Sequence, residues 1–331
     1  MRLFILLLII SCAQLSATPT LKAKLEKGSP GDYIVTVQDK SFSLLRIREK
    51  SQTHLVLEEV TVPESTLETS DTSWPDWLRK GAPGHSAWLL YEIDLETGEL
   101  LECFSVSQKG WMNVEEPILP KMLALPLTAT PKEQRKRVGP SPQKGEEDMR
   151  ALWTPPVVFE GSKLKKPTLE VFNARWPDDQ SQLAACHLEL YFLPDFPFPF
   201  WIETSNGHYT LKIRSVACGR GSLSPVTMAV PHRPPTFIDT GKRTGDTLQL
   251  SLKSTYPFSQ LTLYALDLDD YVEPPKQIPF SLTRNEKKEL LLTTPLKTLE
   301  PILKKGHKYR WILASEQDPH LYAESDDSLL W

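Results

Sequence analysis

The stretch Cys186–Leu193, CHLELYFL, has an apolar side chain at every even-numbered position. Alternation with a period of two is typical of a β-strand that buries one face. Residues 209–216, YTLKIRSV, repeat the pattern, and the stretch PDFPFPFW at 194–201 lies between the two. The spacing predicts an antiparallel pair of strands joined through a long loop that its prolines stiffen.

Strand patterns continue on the N-terminal side of this pair. Residues 33–37 and 42–47 predict two strands around a turn at 38–40, and residues 54–62 predict a third. Residues 88–106 predict a hairpin in which Gly98 supplies the left-handed turn conformation. The chain therefore belongs to the mainly β class, with few short helices.

The last third of the chain carries the most regular strand spacing. About six strands are predicted, at 248–253, 261–265, 278–282, 289–293 and 309–314 with one further segment, separated by turn residues. Short strands at such intervals are typical of a β-sandwich.

The segment Leu303–Leu313, LKKGHKYRWIL, resembles the sixth strand of fibronectin type III and immunoglobulin-like sandwiches, in which a Leu precedes a Tyr by six residues. The resemblance implies that Tyr309 forms a tyrosine corner, its hydroxyl bonded to upstream backbone. Leu303 and Trp311 would then lie in the core. The resemblance covers about the last hundred residues and implies a fold with a tendency to bind or to space, not an activity.

Composition divides the chain into two or three antiparallel β units. Residues 126–156 are rich in proline and carry a basic run followed by an acidic run, which predicts an extended, solvated and protease-sensitive connector with a short helix near Glu146–Leu152. The predicted domains are a signal peptide at 1–17, a β-rich domain at 18–125, the connector at 126–156, a β unit at 157–228 and the sandwich at 229–331.

The N-terminus carries a targeting signal. Met1-Arg2 precedes the apolar run Leu3–Ile10, and small residues follow. This order is typical of a secretory signal peptide, and no later run reaches transmembrane length. No asparagine begins an Asn-x-Ser/Thr sequon. We therefore expect an exported protein of the periplasm, the cell envelope or the extracellular space, with a bacterial source.

The cysteines leave two questions open. Ile9-Ile10-Ser11-Cys12 resembles a bacterial lipobox, in which Cys12 would be lipidated, whereas cleavage after Ala13 or Ala17 would discard it. Cys103, Cys186 and Cys218 remain, an odd number. Because Cys186 and Cys218 have opposite strand parity, three buried thiols are expected rather than a disulfide.

The Phe196–Trp201 stretch is the strongest candidate binding surface. Aromatic side chains on a stiff β scaffold bind sugars or insert into a partner. Phe196, Phe198, Phe200 and Trp201 are the predicted binding residues, and the alternative is that they seal the domain interface or a core. The expected partners are a protein or a glycan of the envelope.

Several groups of reactive side chains match known chemistry only in part. His85-Ser86 lacks the final glycine of a hydrolase elbow. The acids at 178–179 and at 267–270 fit turn chemistry better than a glycosidase pair or a calcium loop. No metal, cofactor or nucleic-acid site is expected, and the net charge of −4 does not favour nucleic acid.

These observations favour an exported, non-catalytic binding or structural protein. The alternative is an exported hydrolase of unrecognised type, which would need a base, a nucleophile and stabilising donors to converge in one cleft.

Overall fold

The computed structural model describes residues 19–67, 73–113, 118–143, 145, 147–207, 210–258, 260–285, 289–315 and 321–331. The described part is mainly β, with antiparallel sheets and few short helices, as predicted. Its helices are short: α1 Leu21–Leu25, α2 Trp74–Arg79, α3 Ile118–Ala124 and α4 Leu296–Leu299, with 3-10 turns at Glu64–Thr66 and Lys132–Gln134. None of the helices in this part of the chain has the length and apolar character needed to cross a bilayer.

The strands of the first two-thirds of the chain are β1 Tyr33–Gln38, β2 Ser41–Lys50, β3 His54–Pro63, β4 Ala87–Asp94, β5 Leu100–Ser105, β6 Gly110–Trp111, β7 Thr128–Ala129, β8 Val158–Phe159, β9 Ser162–Lys163, β10 Glu170–Arg175, β11 His187–Phe192, β12 Trp201–Ser205 and β13 Thr210–Gly219. The later strands are β14 Thr236–Phe237, β15 Lys242–Thr244, β16 Thr247–Lys253, β17 Thr262–Asp267, β18 Lys276–Ile278, β19 Ser281–Arg284, β20 Glu289–Pro295, β21 Lys308–Ala314, β22 Tyr322–Glu324 and β23 Leu329–Leu330.

The chain divides into two compact units that do not follow its sequence order. Unit 1 comprises Met1–Ser86, Leu95–Gly98 and Glu115–Pro225, and unit 2 comprises Ala87–Asp94, Glu99–Val114 and Val226–Trp331. The predicted domain boundaries stay predictions.

In unit 1 the strands run in the order β3-β2-β1-β13-β12-β11-β10-β7, with every neighbouring pair antiparallel. One short parallel bridge joins Cys218 to Phe159, and thereby β13 to β8. The position of β12 differs from the sequence prediction. Because Trp201–Ser205 is itself a strand, it separates β11 from β13, and the predicted direct pairing of those two strands is wrong.

Unit 2 contains a hairpin of β4 and β5 with the short β6, and two further sheets. One sheet has the order β14-β16-β20-β19 with β15 at β16, and the other has the order β18-β17-β21-β22 with β23 at β21. Alternate residues of β16 and β20 share one core with alternate residues of β17 and β21. The period-two pattern read from the sequence is thus the burial pattern of the structure.

The connector differs from its prediction. Residues 147–152 form no helix; instead Arg137 bridges Leu152, and Val138 N donates to Ala151 O at 2.9 Å. Two arms of the connector therefore pair with each other. The acidic residues expected to favour a helix are engaged in local bonds, since Asp148 accepts bonds from the Arg150 guanidinium.

Candidate functional site

One face of the unit 1 sheet presents aromatic and charged side chains in two cross-strand rows. Directly opposed residues of an antiparallel sheet project to the same face, so register alone brings them together. We call this surface the ladder face, and its rows are Val37–Arg214–Trp201–Tyr191–Val171 and Lys212–Glu203–Glu189–Asn173.

The connector places an ammonium group over the acidic part of the ladder face. Lys136 Nζ donates to Glu203 Oε2 at 2.7 Å and lies 3.0 Å from Glu189 Oε2. Burial lowers the pKa of Lys136, but the bonds to Glu203 and Glu189 together with the charges of these two carboxylates leave that pKa raised. Burial raises the pKa of Glu203, but the bonds from Lys136 and Trp201 together with the charges of Lys136 and Lys212 leave that pKa lowered. Lys136 is therefore held as a cation between two carboxylates.

An aromatic side chain of the connector covers the neighbouring row. Trp153 meets Tyr191 edge to face, with ring centroids 5.3 Å apart, and meets Trp201 in the same manner at 5.2 Å. Edge-to-face pairs at these separations are favourable beyond their buried area. Trp153 N donates to Lys136 O at 2.8 Å, so the lysine and the tryptophan are presented by paired arms of one segment.

The start of the connector is fixed to the sheet edge. Thr130 N donates to Val171 O at 2.8 Å, and the Arg135 guanidinium donates to Thr130 O and to Leu169 O, each at 3.0 Å. The basic run predicted to be a solvated surface is therefore partly a structural anchor.

The other half of the ladder face is a shallow groove. It has a volume of about 270 Å³ and is lined by Val37, Asp39, Trp201, Lys212 and Arg214. Lys212 and Arg214 are exposed, and Trp201 is half-buried. Two cations beside an aromatic ring form a surface that complements an anionic group.

The predicted aromatic binding site is only partly at the surface. Phe196, Phe198 and Phe200 are buried at 3%, 2% and 1% exposure, and the ring centroid of Phe196 lies 5.9 Å from that of Phe198 and 5.4 Å from that of Phe200. This burial corrects the expectation that they form a presented face, because the apolar rings are removed from water as core residues. Trp201, which begins β12, is the predicted residue that reaches the ladder face.

The predicted lipidation site Cys12 and the signal peptide at 1–17 lie outside the described residues. Cys103, Cys186 and Cys218 are buried thiols, as expected. Burial raises the pKa of Cys218 to about 12, with a further contribution from the Glu160 charge.

In unit 2 the Tyr309 hydroxyl is bonded to upstream backbone, which is the contact that a tyrosine corner requires. Lys304 N donates to the Tyr309 hydroxyl at 2.7 Å, and that hydroxyl donates to Asp267 Oδ2 at 3.2 Å. Leu303 and Trp311 are buried in the shared core. The corner thus joins a backbone bond to a buried carboxylate.

Asp267 also belongs to the group of residues that could hold a divalent cation. Ligand atoms of Asp267, Asp269 and His307 lie within 4.8 Å of one another. His307 Nδ1 lies 2.9 Å from Asp267 Oδ2, and Lys308 N donates to Asp269 Oδ2 at 2.7 Å. These bonds are consistent with a structural role, in which Asp267, Asp269 and His307 stabilise the turn around Tyr309. The acidic stretch at 267–270 is visible in the sequence, but His307 is distant from it along the chain and is brought beside the two aspartates by the register of β17 with β21.

A second polar cluster, also missed, lies in unit 2. Glu92 and Glu102 are buried cross-strand partners on β4 and β5. His232 Nε2 lies 2.7 Å from Glu92 Oε2, whereas Glu102 Oε1 accepts from Arg233 N at 3.0 Å and from the Thr255 hydroxyl at 2.6 Å. The predicted 88–106 hairpin could have placed the two glutamates opposite each other. It could not have shown that their partners are His232, Arg233 and Thr255, which are distant in sequence.

The side chains that match a hydrolase elbow only in part are bonded to backbone. Ser86 Oγ donates to Thr61 O at 3.2 Å, and His85 Nδ1 lies 2.9 Å from Ala82 O. Asp179 accepts bonds from Lys121, from Ser181 and from Trp176 Nε1, and the first of these contributes most to lowering the pKa of Asp179. These contacts fit the turn chemistry expected for this stretch.

The family model described as CT021 protein matches residues 43–165. Among solved structures, the hypothetical protein CT021 from Chlamydia trachomatis is 21% identical with a TM-score of 0.49, and the match covers 65% of this chain and 98% of that chain. MucB is 11% identical with a TM-score of 0.29, covering 85% of this chain and 93% of that chain. A search of curated proteins found no match. The family match ends before residue 229, so the resemblance to fibronectin type III and immunoglobulin-like domains stays a prediction.

Proposed function

We propose that the protein is an exported, non-catalytic binding protein whose ladder face takes an acidic, extended segment of an envelope protein. The observation that carries the proposal is the groove in which exposed Lys212 and Arg214 stand beside Trp201. Export rests on the N-terminal leader pattern.

The charge of the groove favours an anionic ligand. Bonds between an ionised donor and a carboxylate are shorter and stronger than neutral ones, and arginine matches a carboxylate with two parallel bonds. Asp39 provides one opposing charge at the rim, whereas Glu203 lies 4.0 Å from Lys212 Nζ. Lys212 is therefore only weakly neutralised, and Arg214 stands next to it on the same strand.

The shape of the surface favours a peptide over a glycan. The adjacent half of the same face already accommodates an extended segment of the chain through Lys136 and Trp153. A partner segment in the groove would continue across strands in the same way, with alternate side chains facing the sheet.

The C-terminal part of unit 2 would serve as an immunoglobulin-like or fibronectin-like spacer or second binding module. The two sheets around one core and the bonds of the tyrosine corner support this assignment.

The test is a binding assay with a fluorescein-labelled peptide of alternating Glu and Ser. We expect the Lys212→Glu/Arg214→Glu variant to lose at least about tenfold in affinity, since each lost charge-assisted bond is worth about 1.5–3 kcal/mol. The matched control is Lys163→Glu/Lys165→Glu, which reverses two exposed lysines elsewhere on unit 1. Equal affinity in both variants would refute the proposal, and binding of oligogalacturonate in place of the peptide would favour the glycan.

A further inference from the structure

We infer that Glu189 and Glu203, with the rings of Tyr191 and Trp201, form a recognition site for a lysine-bearing extended segment, which the connector fills in cis. A partner segment that carries a lysine and an aromatic residue would compete with the connector for this site. The inference rests on the contacts of Lys136 and Trp153 and is independent of any acidic ligand in the groove.

The occupant itself defines the chemistry of the site. A primary ammonium lies between two carboxylates, at 2.7 Å from Glu203 and 3.0 Å from Glu189. Trp153 packs edge to face with both the Tyr191 ring and the Trp201 ring, and Lys136 Nζ lies 5.9 Å from the centroid of the Trp153 ring. This surface therefore fits an extended chain whose paired arms carry a cation and an aromatic ring.

The contacts are of the kind that exchange. The Lys136 side chain is 44% exposed, and Glu189 and Glu203 retain 17% and 22% exposure. Ion pairs with this access to solvent contribute only about 0–1 kcal/mol. The two arms pair with each other through Trp153 N and Val138 N, so they can leave the sheet together without losing those bonds.

Tethering explains how weak contacts keep the site filled. A segment linked to its site competes at an effective concentration of about millimolar, so a free partner that makes the same contacts must exceed this concentration before it displaces the connector. Thr130 and Arg135 anchor the connector beside the face and keep it near when its arms leave. A partner with better contacts, or a variant with weaker ones, would expose the site.

The experiment uses the full chain and a labelled synthetic peptide that copies residues 132–156. The opened variant is Lys136→Ala/Trp153→Ala, and we expect it to bind the peptide at least about tenfold more tightly than the natural chain. Adding Glu189→Gln/Glu203→Gln to the opened variant should abolish this gain, as should replacing the lysine and tryptophan within the peptide.

Two further variants complete the experiment. Lys136→Met alone keeps the aromatic contact and should show a smaller gain, which tests the site even if the double variant fails to fold. Lys212→Glu/Arg214→Glu in the opened background should still bind the connector peptide, so failure of the acidic-ligand proposal would be distinguishable. Equal peptide affinity in the natural, Lys136→Met and opened chains would overturn the inference, as would a gain that survives the Glu→Gln changes.

Discussion

Unit 1 contains two ion pairs between neighbouring elements that share their chemistry and differ in burial. Arg46 and Glu58 face each other on β2 and β3, with side chains 8% and 0% exposed and Nη1–Oε2 at 2.7 Å. Lys136 makes a contact of the same length to Glu203, but its side chain is 44% exposed. The two ion pairs therefore have the same N–O distance but differ in how far water can reach them.

The difference lies in what replaces the partner when the pair separates. Glu58 also accepts from the Ser224 hydroxyl at 2.6 Å, and Arg46 Nε donates to Ser222 O at 2.9 Å. Water cannot easily take these places at a buried site, so separation would leave a charge unpaired. Water can replace Lys136 at Glu203, and we therefore assign structure to the first pair and exchange to the second.

The strongest test of the difference between the two pairs is to remove the charge of the buried carboxylate. Glu58→Gln should destabilise the protein by about 3–5 kcal/mol, because the Arg46 charge remains buried without its counterion. Urea unfolding measures the change, and Glu189→Gln is the matched control, with an expected cost below about 1 kcal/mol. Similar costs for the two variants would show that burial does not separate the two pairs.

A second large effect concerns buried groups that are kept neutral near the far end of β13. Burial raises the pKa of Cys218 to about 12, and burial, with the Cys218 and Glu160 charges, raises that of Tyr33 to about 12. A raised native pKa gives stability that is complete below the unfolded value and is lost as pH rises through the native one.

Stability should therefore fall above about pH 9, where the unfolded thiol begins to ionise, and continue to fall towards pH 12. The fall can reach about 1.4 kcal/mol per pH unit for each group. Urea unfolding at pH 8 to 11 measures it, with Cys218→Ala as the variant that should flatten the slope. A slope equal in the two proteins would show that Cys218 contributes nothing to the alkaline loss.

The sequence predicted the strands better than it predicted these pairs. Alternation located β11 and β13, because a strand that buries one face must alternate wherever it lies in the sheet. It did not locate β12, whose first residue follows the proline-rich stretch and was assigned to the loop. It also gave no reason to pair Arg46 with Glu58, since Glu58 and Glu59 follow each other and only one of them is fully buried.

The candidate site shows the same limit. The aromatic stretch was recognised, but composition could not show that Phe196, Phe198 and Phe200 turn inward while Trp201 reaches the surface. The position of Lys136 between Glu189 and Glu203 depends on how the connector docks, which no local pattern encodes. The bond between the Tyr309 hydroxyl and upstream backbone is easier to anticipate, because Leu303 and Tyr309 are close in sequence and the bond is local.

That corner provides an intermediate case for the comparison, because its carboxylate is buried but its hydroxyl is neutral. Tyr309→Phe should cost about 1–2 kcal/mol, since Lys304 N and Asp267 each lose a hydrogen-bond partner. Thermal and urea unfolding measure the loss, with Tyr264→Phe as a control on the neighbouring strand β17. An unchanged melting temperature would contradict a structural role for the hydroxyl.

The variant with the smallest expected change in stability should show the clearest change in protease access to the connector. Glu189→Gln/Glu203→Gln should cost no more than about 1 kcal/mol, because both carboxylates keep contact with water. Trypsin cleavage after residues 132–144, where the first cut is expected, should nevertheless accelerate several-fold, since proteolysis follows the population of the open connector.

Glu49→Gln is the control, because it removes a carboxylate that is 60% exposed and lies 3.2 Å from Arg48, away from the connector. Its cleavage rate should match that of the natural chain. If both variants were cleaved at the natural rate, Glu189 and Glu203 would not hold the connector. If cleavage rose in proportion to a large loss of global stability, the half-exposed pair would be as structural as Arg46 and Glu58, and burial would not decide which ion pair the molecule can exchange.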